Sequence, residues 1–340
     1  MKLILVLAVA LAGCAQEIPV SGEVQGVHDP SAVVKEGDTW YVFSTKTDQK
    51  QSGELPIHCS PDLHVWKACG FVMQEKPKWI AEASPSTKEL WAPDISYFNG
   101  RWHLYYAYSA FGVNTSGIAL MTNKTLNQSS PDYKWMDQGL VLKSVKADPY
   151  NAIDPNLALD NKGGAWLSFG SFWTGIKMVR IDPATGMRIG SDATVYSLAL
   201  RARPANPPQQ KVDPEHPDVP PDWQAIEAPF IVRHGDYYYL FVSWDLCCRG
   251  TRSDYKVVVG RSQDITGPYL DSSGKSLQQG GGTLVVSKGP GFNAAGGESV
   301  AKIDGQDVLV YHAYDSQTGA PSMKLNRIDW STGWPRLTGN

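Results

Sequence analysis

The chain is dominated by short runs of aromatic and β-branched residues, which are separated by turn residues such as Gly, Pro, Asn and Asp. The clearest runs cover residues 40–44, 102–106, 166–169, 237–241 and 308–311. Side chains of this kind favour strands, whereas the three-to-four-residue spacing of an amphipathic helix is essentially absent. The pattern therefore predicts an all-β protein.

An acidic residue precedes each of these runs by about ten residues. The five acids are Asp29, Asp94, Asp154, Glu227 and Glu298, and their spacings are 65, 60, 73 and 71 residues. A feature that recurs at a nearly constant spacing indicates a repeat architecture, and each unit has room for four short strands. Five such units around one axis predict a five-bladed β-propeller in a single domain. If the innermost strand of each blade begins at its acid, several acids converge on one mouth of the channel.

The predicted blades cover residues 24–75, 91–142, 151–198, 224–282 and 294–337, and a strand from the N-terminus is expected to close the ring. Residues 201–222 interrupt the pattern, because seven prolines exclude a regular strand or helix there. A loop of this length in a compact domain is usually functional or disordered. Because it enters blade four just before Glu227, we expect it either to wall off one end of a substrate groove or to be a surface insertion.

The first fourteen residues form a targeting segment. Lys2 precedes an apolar stretch over residues 3–12, which is too short to span a membrane. The segment ends in Leu-Ala-Gly-Cys14, which resembles a bacterial lipobox, in which the cysteine becomes the lipidated N-terminus. The chain is therefore expected to be exported to the cell envelope, with a lipid anchor at Cys14 as its only membrane attachment; the alternative is an ordinary signal peptide. The predicted parts are a lipoprotein-type signal over residues 1–14, a tether over residues 15–23 and a catalytic domain over residues 24–340.

The net charge and the cysteine positions indicate which partners, disulfides and metal sites to expect. The formal net charge is −3 and no long basic run occurs, so we expect no nucleic-acid partner. Cys59 and Cys69 flank a turn, where an exported chain permits a disulfide. Cys247 and Cys248 are adjacent and could form a strained disulfide or remain thiols, and no cysteine or histidine spacing indicates zinc.

Three of the five acids stand in surroundings that favour acid–base chemistry. Glu227 has only apolar neighbours, and burial of a carboxyl raises its pKa, as a general acid needs. Asp29 and Asp154 each precede a proline, which restricts the backbone and so directs the carboxylate. Two carboxylates across a cleft suggest glycoside hydrolysis, in which one activates water and the other protonates the leaving oxygen.

The chain resembles glycoside hydrolase family 43, and within it the 1,5-α-L-arabinanases. The resemblance covers nearly the whole mature chain and implies a five-bladed propeller that inverts the anomeric configuration. It is carried by His28-Asp29-Pro30-Ser31, Trp91-Ala92-Pro93-Asp94, Asn151-Ala152-Ile153-Asp154-Pro155, Ser171-Phe172-Trp173, Ile226-Glu227-Ala228-Pro229, Asp245-Leu246-Cys247-Cys248-Arg249-Gly250 and Tyr311-His312-Ala313-Tyr314-Asp315.

The resemblance also implies roles for individual residues. Asp29 is the expected general base and Glu227 the general acid, while Asp154 orients Glu227 and keeps its pKa high by like-charge repulsion. Asp94 and Glu298 match no catalytic motif and are interpreted as structural. The residues expected to contact arabinose are Gly112, Asn151, Ala152, Ile153, Asp154, Ser171, Phe172 and Trp173.

One departure from the family concerns a metal ion. Many arabinanases carry Gly-Pro-Gly-His-Asn, whose histidine helps to hold calcium on the propeller axis, whereas this chain has Phe292 in Gly289-Pro290-Gly291-Phe292-Asn293. Phenylalanine cannot ligate a metal, so we predict no required cofactor and only a weak dependence of activity on calcium. His312 or His28 remains the alternative ligand for an axial ion.

The expected substrates are arabinan and arabino-oligosaccharides, cleaved by an enzyme that acts as a monomer, with endo-type action favoured and exo action as the alternative. Two other readings stay open. One is an α-L-arabinofuranosidase or β-xylosidase of the same family, which commonly adds a C-terminal β-sandwich that is not seen here. The other is a non-catalytic glycan-binding propeller at the cell surface, which would bind arabinan without releasing reducing sugar.

Overall fold

The computed structural model describes residues 17–202, 204, 206 and 224–337. Strands account for 49% of the structure and helices for 4%. The strands form five sheets of four or five strands each, arranged as the blades of a single-domain propeller. The predicted five-bladed β-propeller is therefore confirmed. Most of the proline-rich segment 201–222 lies outside the described residues. The expectation that this loop either walls off one end of a substrate groove or is a surface insertion therefore stays a prediction.

Each blade is a sheet in which sequence neighbours pair as hairpins. Blade one has the spatial order β2-β6-β5-β4-β3, and blade two has the order β10-β9-β8-β7. The strands of blade one are β2 (Ser21–Gly22), β3 (Val34–Glu36), β4 (Thr39–Phe43), β5 (Glu54–Ser60) and β6 (Val65–Met73). The helix α1 (Lys78–Ala83) then leads to blade two, which contains β7 (Leu90–Phe98), β8 (Arg101–Tyr108), β9 (Ser116–Asn123) and β10 (Met136–Ser144).

The remaining three blades repeat this arrangement. Blade three contains β11 (Asn156–Leu159), β12 (Ala165–Phe169), β13 (Ile176–Ile181) and β14 (Tyr196–Ala199). Blade four contains β15 (Ile226–His234), β16 (Tyr237–Trp244), β17 (Lys256–Ser262) and β18 (Thr283–Val286), with short 3₁₀ helices at Gly250–Arg252 and Leu277–Gln279. Blade five contains β19 (Phe292–Ile303), β20 (Gln306–Asp315) and β21 (Pro321–Arg327), and β1 (Glu17–Ile18) is its fourth strand.

The aromatic runs are apolar at successive positions because both faces of each sheet are buried against a neighbouring blade. Val42 of β4 packs in the core between blades five and one, and the next residue, Phe43, packs in the core between blades one and two. Leu104 and Tyr105 of β8 divide in the same way between the two cores that flank blade two. Successive side chains of a strand point to opposite faces, so one run supplies two cores.

The N-terminal residues belong to the folded domain rather than to a tether. Glu17 and Ile18 pair with Asn326 and Leu325 of β21, and β2 pairs in parallel with β6. Ile18 is buried in the core between blades five and one, and this burial holds the segment on the sheet. The predicted tether over residues 15–23 is therefore corrected, because residues 17–22 close the ring and brace its first blade. The signal over residues 1–14 lies outside the described residues, and none of the described helices has the length and apolar character needed to cross a membrane.

A left-handed backbone turn recurs at the axis end of every blade. The residue in this conformation is followed by proline in the first four blades, and blades two, four and five also have a register shift at this point. Such a conformation is costly for residues other than glycine, so the repeated turn indicates a constraint at this point of each blade. The turn residues, with their φ angles, are Asp29 (47°), Ala92 (44°), Asp154 (55°), Ala228 (51°) and Gly297 (59°).

This turn corrects the expectation that the five acids hold one repeat position. Asp29 and Asp154 occupy the turn itself, Glu227 precedes it by one residue, Glu298 follows it by one and Asp94 follows it by two. At such a turn, an offset of one residue changes the direction in which a side chain points. The acids consequently divide between two sites that lie next to each other.

Asp94 and Asn156 stand two residues after the turn and tie adjacent blades together. Buried Asp94 accepts hydrogen bonds from Leu157 N (2.9 Å) and Asn156 Nδ2 (3.1 Å), and Asn156 Oδ1 accepts one from Ile231 N (2.8 Å). Burial raises the pKa of Asp94 to about 6, although both hydrogen bonds lower it. Asp94 therefore fastens blade two to blade three, as its structural interpretation predicts.

Replacing Asp94 with alanine should lower the free energy of unfolding by about 1–3 kcal/mol, because the Leu157 and Asn156 donors would be left buried without their acceptor. Thermal denaturation followed by circular dichroism measures the change. Asp94→Asn keeps one acceptor oxygen and should lose less. An unchanged melting temperature in Asp94→Ala would contradict the assigned tie.

Candidate active site

One pocket, with a volume of about 400 Å³, collects residues from blades one to four. Asp29, Asp154 and Glu227 all line this pocket. A smaller cavity of about 40 Å³ lies along the recurring turns, and Asp94 and Glu298 line it together with Asp29 and Asp154. The structure thus brings the three predicted catalytic acids to one mouth and leaves the two structural acids outside the pocket.

Asp29 is surrounded by groups that favour its charged form. Thr45 Oγ1 donates to Asp29 Oδ2 (2.8 Å), and His28 Nδ1 lies 2.9 Å from the same oxygen. The backbone N–H of Asp29 donates to His312 Nδ1 (3.2 Å). Burial alone would raise the pKa of Asp29, but the charge and hydrogen bond of His28, the charge of His312 and the Thr45 hydroxyl lower it to about 2. Asp29 is therefore a carboxylate at neutral pH.

The surroundings of Glu227, unlike those of Asp29, favour the protonated form of its carboxyl. Its carboxyl accepts hydrogen bonds from Ser171 Oγ (2.7 Å) and the Tyr255 hydroxyl (2.7 Å). Burial and the nearby charge of Asp29 raise the pKa of Glu227 above its ordinary value, although the two hydroxyl groups and His28 act in the other direction. A carboxyl with a raised pKa retains its proton nearer to neutral pH, so Glu227 can donate one.

Asp154 is coupled to Glu227 both through charge and through the backbone. Its Oδ2 accepts the N–H of Ala228, the residue after Glu227, at 3.2 Å. Burial, followed by repulsion from Glu227 and Asp29, raises the pKa of Asp154 well above its ordinary value. Two neighbouring carboxyls that repel each other share a proton, so their protonation belongs to the pair. The hydrogen bond to Ala228 N fixes the chain from which Glu227 projects.

Seven of the eight predicted arabinose contacts line the pocket, and Ala152 does not. Ala152 is fully buried, and its N–H donates to Ser144 Oγ (2.9 Å), so it supports the wall from within. This corrects the expectation that Ala152 contacts substrate, whereas Asn151 and Ile153 on either side of it line the pocket. The contacts that do line it are Gly112, Asn151, Ile153, Asp154, Ser171, Phe172 and Trp173.

Several lining residues carried no signal that marked them as functional. Tyr255 follows the Cys247–Cys248 motif at a polar position outside the five-fold pattern, and Thr45 directly follows an aromatic run. Phe111 is 74% exposed at the pocket, with its ring edge-on to Trp91 (5.7 Å between centroids). Trp91, in contrast, falls inside the motif Trp91-Ala92-Pro93-Asp94 that carries the family resemblance, and this motif could have indicated it.

The cysteines pair in the way that an exported chain permits. Cys59 and Cys69 form a disulfide between β5 and β6. Cys247 and Cys248 form a disulfide between adjacent residues, and both line the pocket. The sequence leaves open whether Cys247 and Cys248 form a disulfide or remain thiols, and in this structure they form the disulfide.

Among the described residues, two clusters have the composition of a metal site. One is His28, Cys247 and Cys248, whose sulfurs are tied up in the disulfide and so are not thiolate ligands. The other is His28, Asp29 and His312, in which His28 Nδ1 faces Asp29 and His312 Nδ1 accepts the Asp29 N–H. In this second cluster His312 Nε2 is buried and has no hydrogen-bond partner among the described groups, so His312 stays a candidate ligand for an axial ion.

One acid that lines the axial cavity also has an uncommitted oxygen. Glu298 is buried, its Oε2 accepts the Ser243 hydroxyl (2.5 Å), and its Oε1 has no hydrogen-bond partner among the described groups. Burial raises the pKa of Glu298 to about 8. Phe292 lies elsewhere: it is buried at the start of β19, with its ring 6.4 Å from that of Tyr311, and does not line the cavity. The weak calcium dependence expected from Phe292 stays a prediction.

Comparison with known proteins connects this site to one enzyme family. The sequence profile described as "Glycosyl hydrolases family 43" matches residues 19–335. An extracellular exo-alpha-(1->5)-L-arabinofuranosidase of Cellvibrio japonicus is 41% identical over 96% of this chain and 91% of its own length. An extracellular endo-alpha-(1->5)-L-arabinanase of Bacillus subtilis is 39% identical over 91% of this chain and 87% of its own length.

A solved structure shows the same fold. The alpha-L-arabinanase of Cellvibrio cellulosa, determined in complex with arabinohexaose, superposes with a TM-score of 0.81 and is 40% identical. The match covers 92% of this chain and 96% of the other. The similarity therefore extends over the whole propeller and is not confined to one blade.

Proposed function

Since the chain belongs to glycosyl hydrolase family 43, we propose that it hydrolyses α-1,5-L-arabinofuranosidic linkages in arabinan and arabino-oligosaccharides. The observation that carries the proposal is the convergence of Asp29, Asp154 and Glu227 on one pocket, with the pKa of Asp29 lowered and that of Glu227 raised. Relatives at about 40% identity are named as enzymes that act on this linkage.

The two pKa directions support the acid and base roles of the inverting mechanism that we propose. Glu227 gives its proton to the glycosidic oxygen as the bond from that oxygen to the anomeric carbon breaks. Asp29 takes a proton from water, and the water oxygen bonds to the anomeric carbon on the opposite face. Inversion follows because water attacks the anomeric carbon directly, from the face opposite the leaving oxygen. Asp154 holds the backbone beside Glu227 and resists the loss of the proton that the pair shares.

Release of reducing ends from debranched arabinan by the purified protein tests the proposed activity. Chromatography of the earliest products separates endo action, which we propose first, from exo action, because endo cleavage gives a ladder of lengths and exo cleavage one short product. Relatives of both kinds exist, so the early pattern decides. Binding of arabinan without turnover would overturn the enzyme assignment in favour of a glycan-binding propeller, and turnover confined to aryl arabinosides or xylosides would favour the exo-glycosidase reading.

We also propose that the protein is exported and lipid-anchored through Cys14, and that it is monomeric. Export is supported by relatives that are named as extracellular. The lipobox-like Leu-Ala-Gly-Cys14 supports the anchor. Cys14→Ala should move the protein from the membrane fraction to the soluble fraction of the cell envelope, and the same distribution for both proteins would rule out the anchor.

No cofactor is proposed for turnover. A cation on the axis would be held by Glu298, and when bound it would offset the negative charge of the buried acids there. Protein groups supply the hydrogen bonds to all three catalytic acids, so treatment with a chelator should leave most of kcat intact. Rates measured with chelator, and then with added calcium, check this. A nearly complete loss that calcium restores would show that the ion is required.

A further inference from the structure

A line of polar contacts runs from the backbone of Cys248 to the carboxylate of Asp29. The N–H of Cys248 donates to the hydroxyl oxygen of Tyr314 (2.9 Å), which lies 2.7 Å from His28 Nε2. The other ring nitrogen, His28 Nδ1, lies 2.9 Å from Asp29 Oδ2. Cys248 follows β16, Tyr314 is near the end of β20, and His28 precedes β3, so this relay joins blades four, five and one.

The relay determines where the proton of His28 is placed. A backbone N–H can only donate, so Cys248 occupies one acceptor position on the Tyr314 hydroxyl oxygen. Two acceptors lie near the phenolic proton, His28 Nε2 at 2.7 Å and Cys248 Sγ at 3.9 Å, and the nitrogen is both the nearer and the stronger of them. A neutral His28 that accepts at Nε2 must carry its own proton on Nδ1, which faces Asp29. A protonated His28 also presents N–H to Asp29 at Nδ1. Asp29 Oδ2 therefore receives an N–H donor in both charge states.

The surroundings of His28 hold the relay in one arrangement. The ring of His28 stacks on that of fully buried His312 (3.9 Å between centroids, 26° between planes). His312 Nδ1 in turn accepts the backbone N–H of Asp29. A Cβ added at Gly297 would lie 2.7 Å from both Asp29 Oδ1 and His312 Nδ1, so the absence of a side chain there lets the three groups pack.

The two oxygens of Asp29 are consequently not equivalent. The side-chain donors that the described residues direct at Asp29, Thr45 Oγ1 and His28 Nδ1, both meet Oδ2. We propose that Tyr314 and His28 are positioning residues, which hold Asp29 through Oδ2 while its carboxylate takes the proton from the attacking water. In that step an O–H bond of water breaks and its proton moves to the Asp29 carboxylate, while the freed electron pair forms the bond to the anomeric carbon as the glycosidic C–O bond breaks. The inference rests on the proposed function.

Tyr314→Phe tests the relay while it preserves the ring. Without the hydroxyl, His28 loses the partner that fixes its tautomer, so kcat should fall about tenfold with little change in KM. Tyr311→Phe is the matched control: it removes a buried phenol from the same strand, one that donates to Asn326 Oδ1 (3.0 Å), and its kcat should stay near that of the wild type. If the Tyr314 hydroxyl only stabilised the fold, kcat should change by a similar factor in Tyr314→Phe and Tyr311→Phe.

The pH profile provides a readout that a merely structural role would not move. Asp29 interacts with His28, His312, Tyr314, Asp154, Glu227, Tyr255 and Glu298. Of these, His28 is the main group that lowers the pKa of Asp29 against burial. A weakened His28 contact should therefore raise the pKa of Asp29 toward its ordinary value and move the acid limb of kcat/KM to higher pH.

A pair of variants at His28 tests the donor itself. His28→Ala removes it, and kcat should fall about 100-fold, whereas His28→Asn places an amide N–H near the position of Nδ1 and should recover about tenfold of that loss. Equal losses in the two variants would overturn the inference. This pair of variants also tests the positioning role of His28 if Tyr314→Phe fails to fold.

A measurement without substrate separates this inference from the proposed function. The pKa of Asp29, followed by carbon NMR of its carboxyl group, should be higher in Tyr314→Phe and His28→Ala than in the wild type and in Tyr311→Phe. An unchanged Asp29 pKa in folded variants would overturn the relay even if the wild type hydrolyses arabinan. Absence of turnover by the wild type would instead refute the proposed function, and the NMR result would still judge the relay.

Discussion

Replacing either Asp29 or Glu227 with alanine should lower kcat/KM on arabinan by about 10²–10⁴-fold while the protein remains folded. Both side chains line the pocket, and each supplies a different half of the proposed reaction. Asp29→Ala removes the group that accepts the proton of water, and Glu227→Ala removes the group that protonates the leaving oxygen. Initial rates on debranched arabinan, with circular dichroism to check the fold, provide the measurement.

The leaving group tells the two roles apart. An aryl arabinoside releases an acidic phenol that needs little protonation, so Glu227→Ala should retain far more activity on it than on arabinan. Asp29→Ala should lose activity on both substrates, because water still needs a base. Asp236→Ala, at an exposed position in the turn that follows the strand of Glu227, is the control and should match the wild type. Equal losses on both substrates in Glu227→Ala would refute its role as the acid.

Asp154→Asn should lower activity and move the basic limb of the pH profile to lower pH. The two coupled carboxyls share a proton, and the basic limb reports the loss of that last proton from the pair. Repulsion between the two charges raises the pKa for that loss. With a neutral amide at position 154, Glu227 ionises alone, so its pKa falls and the active protonated form disappears at lower pH. Burial and Asp29 still raise the Glu227 pKa, so the limb should not fall to that of an exposed glutamate.

A second variant should shift the same limb in the opposite direction. Ser171 donates to Glu227 Oε2 and lowers its pKa, so Ser171→Ala should move the basic limb to higher pH. The profile of kcat/KM against pH, recorded for the wild type and both variants, gives the comparison. A basic limb that stays in place in Asp154→Asn would count against the coupling between Asp154 and Glu227.

Much of the fold could be predicted because its information repeats along the chain. The aromatic runs near Trp40 and near Tyr237 each place side chains on two buried faces of a sheet. A continuous run of apolar residues therefore marks each blade in the sequence. Five recurrences at similar spacing were enough to set the number of blades. The acids near the start of these runs could be placed at the channel for the same reason, since equivalent points of equivalent blades meet around one axis.

Details within a blade depended on one-residue offsets that a periodic pattern does not carry. The left-handed turn falls on Asp29 in blade one and on Ala228 in blade four, so the acids of the two blades stand at different places relative to it. The same sensitivity explains why Ala152 faces the core between two pocket-lining neighbours. Residues 17–22 looked like a tether because two-residue strands have too few side chains to show a period.

The sequence by itself determined the five blades and the identity of the three acids, because hydrophobic periodicity and local motifs are properties of contiguous residues. Only the tertiary structure decided which groups set the protonation of those acids. His28 and Tyr314 are 286 residues apart, and Ser171 and Glu227 are 56 residues apart, yet both pairs are in hydrogen-bond contact. Such partners meet because the ring closes, and their distance follows from the packing of all five blades. No spacing along the chain encodes it.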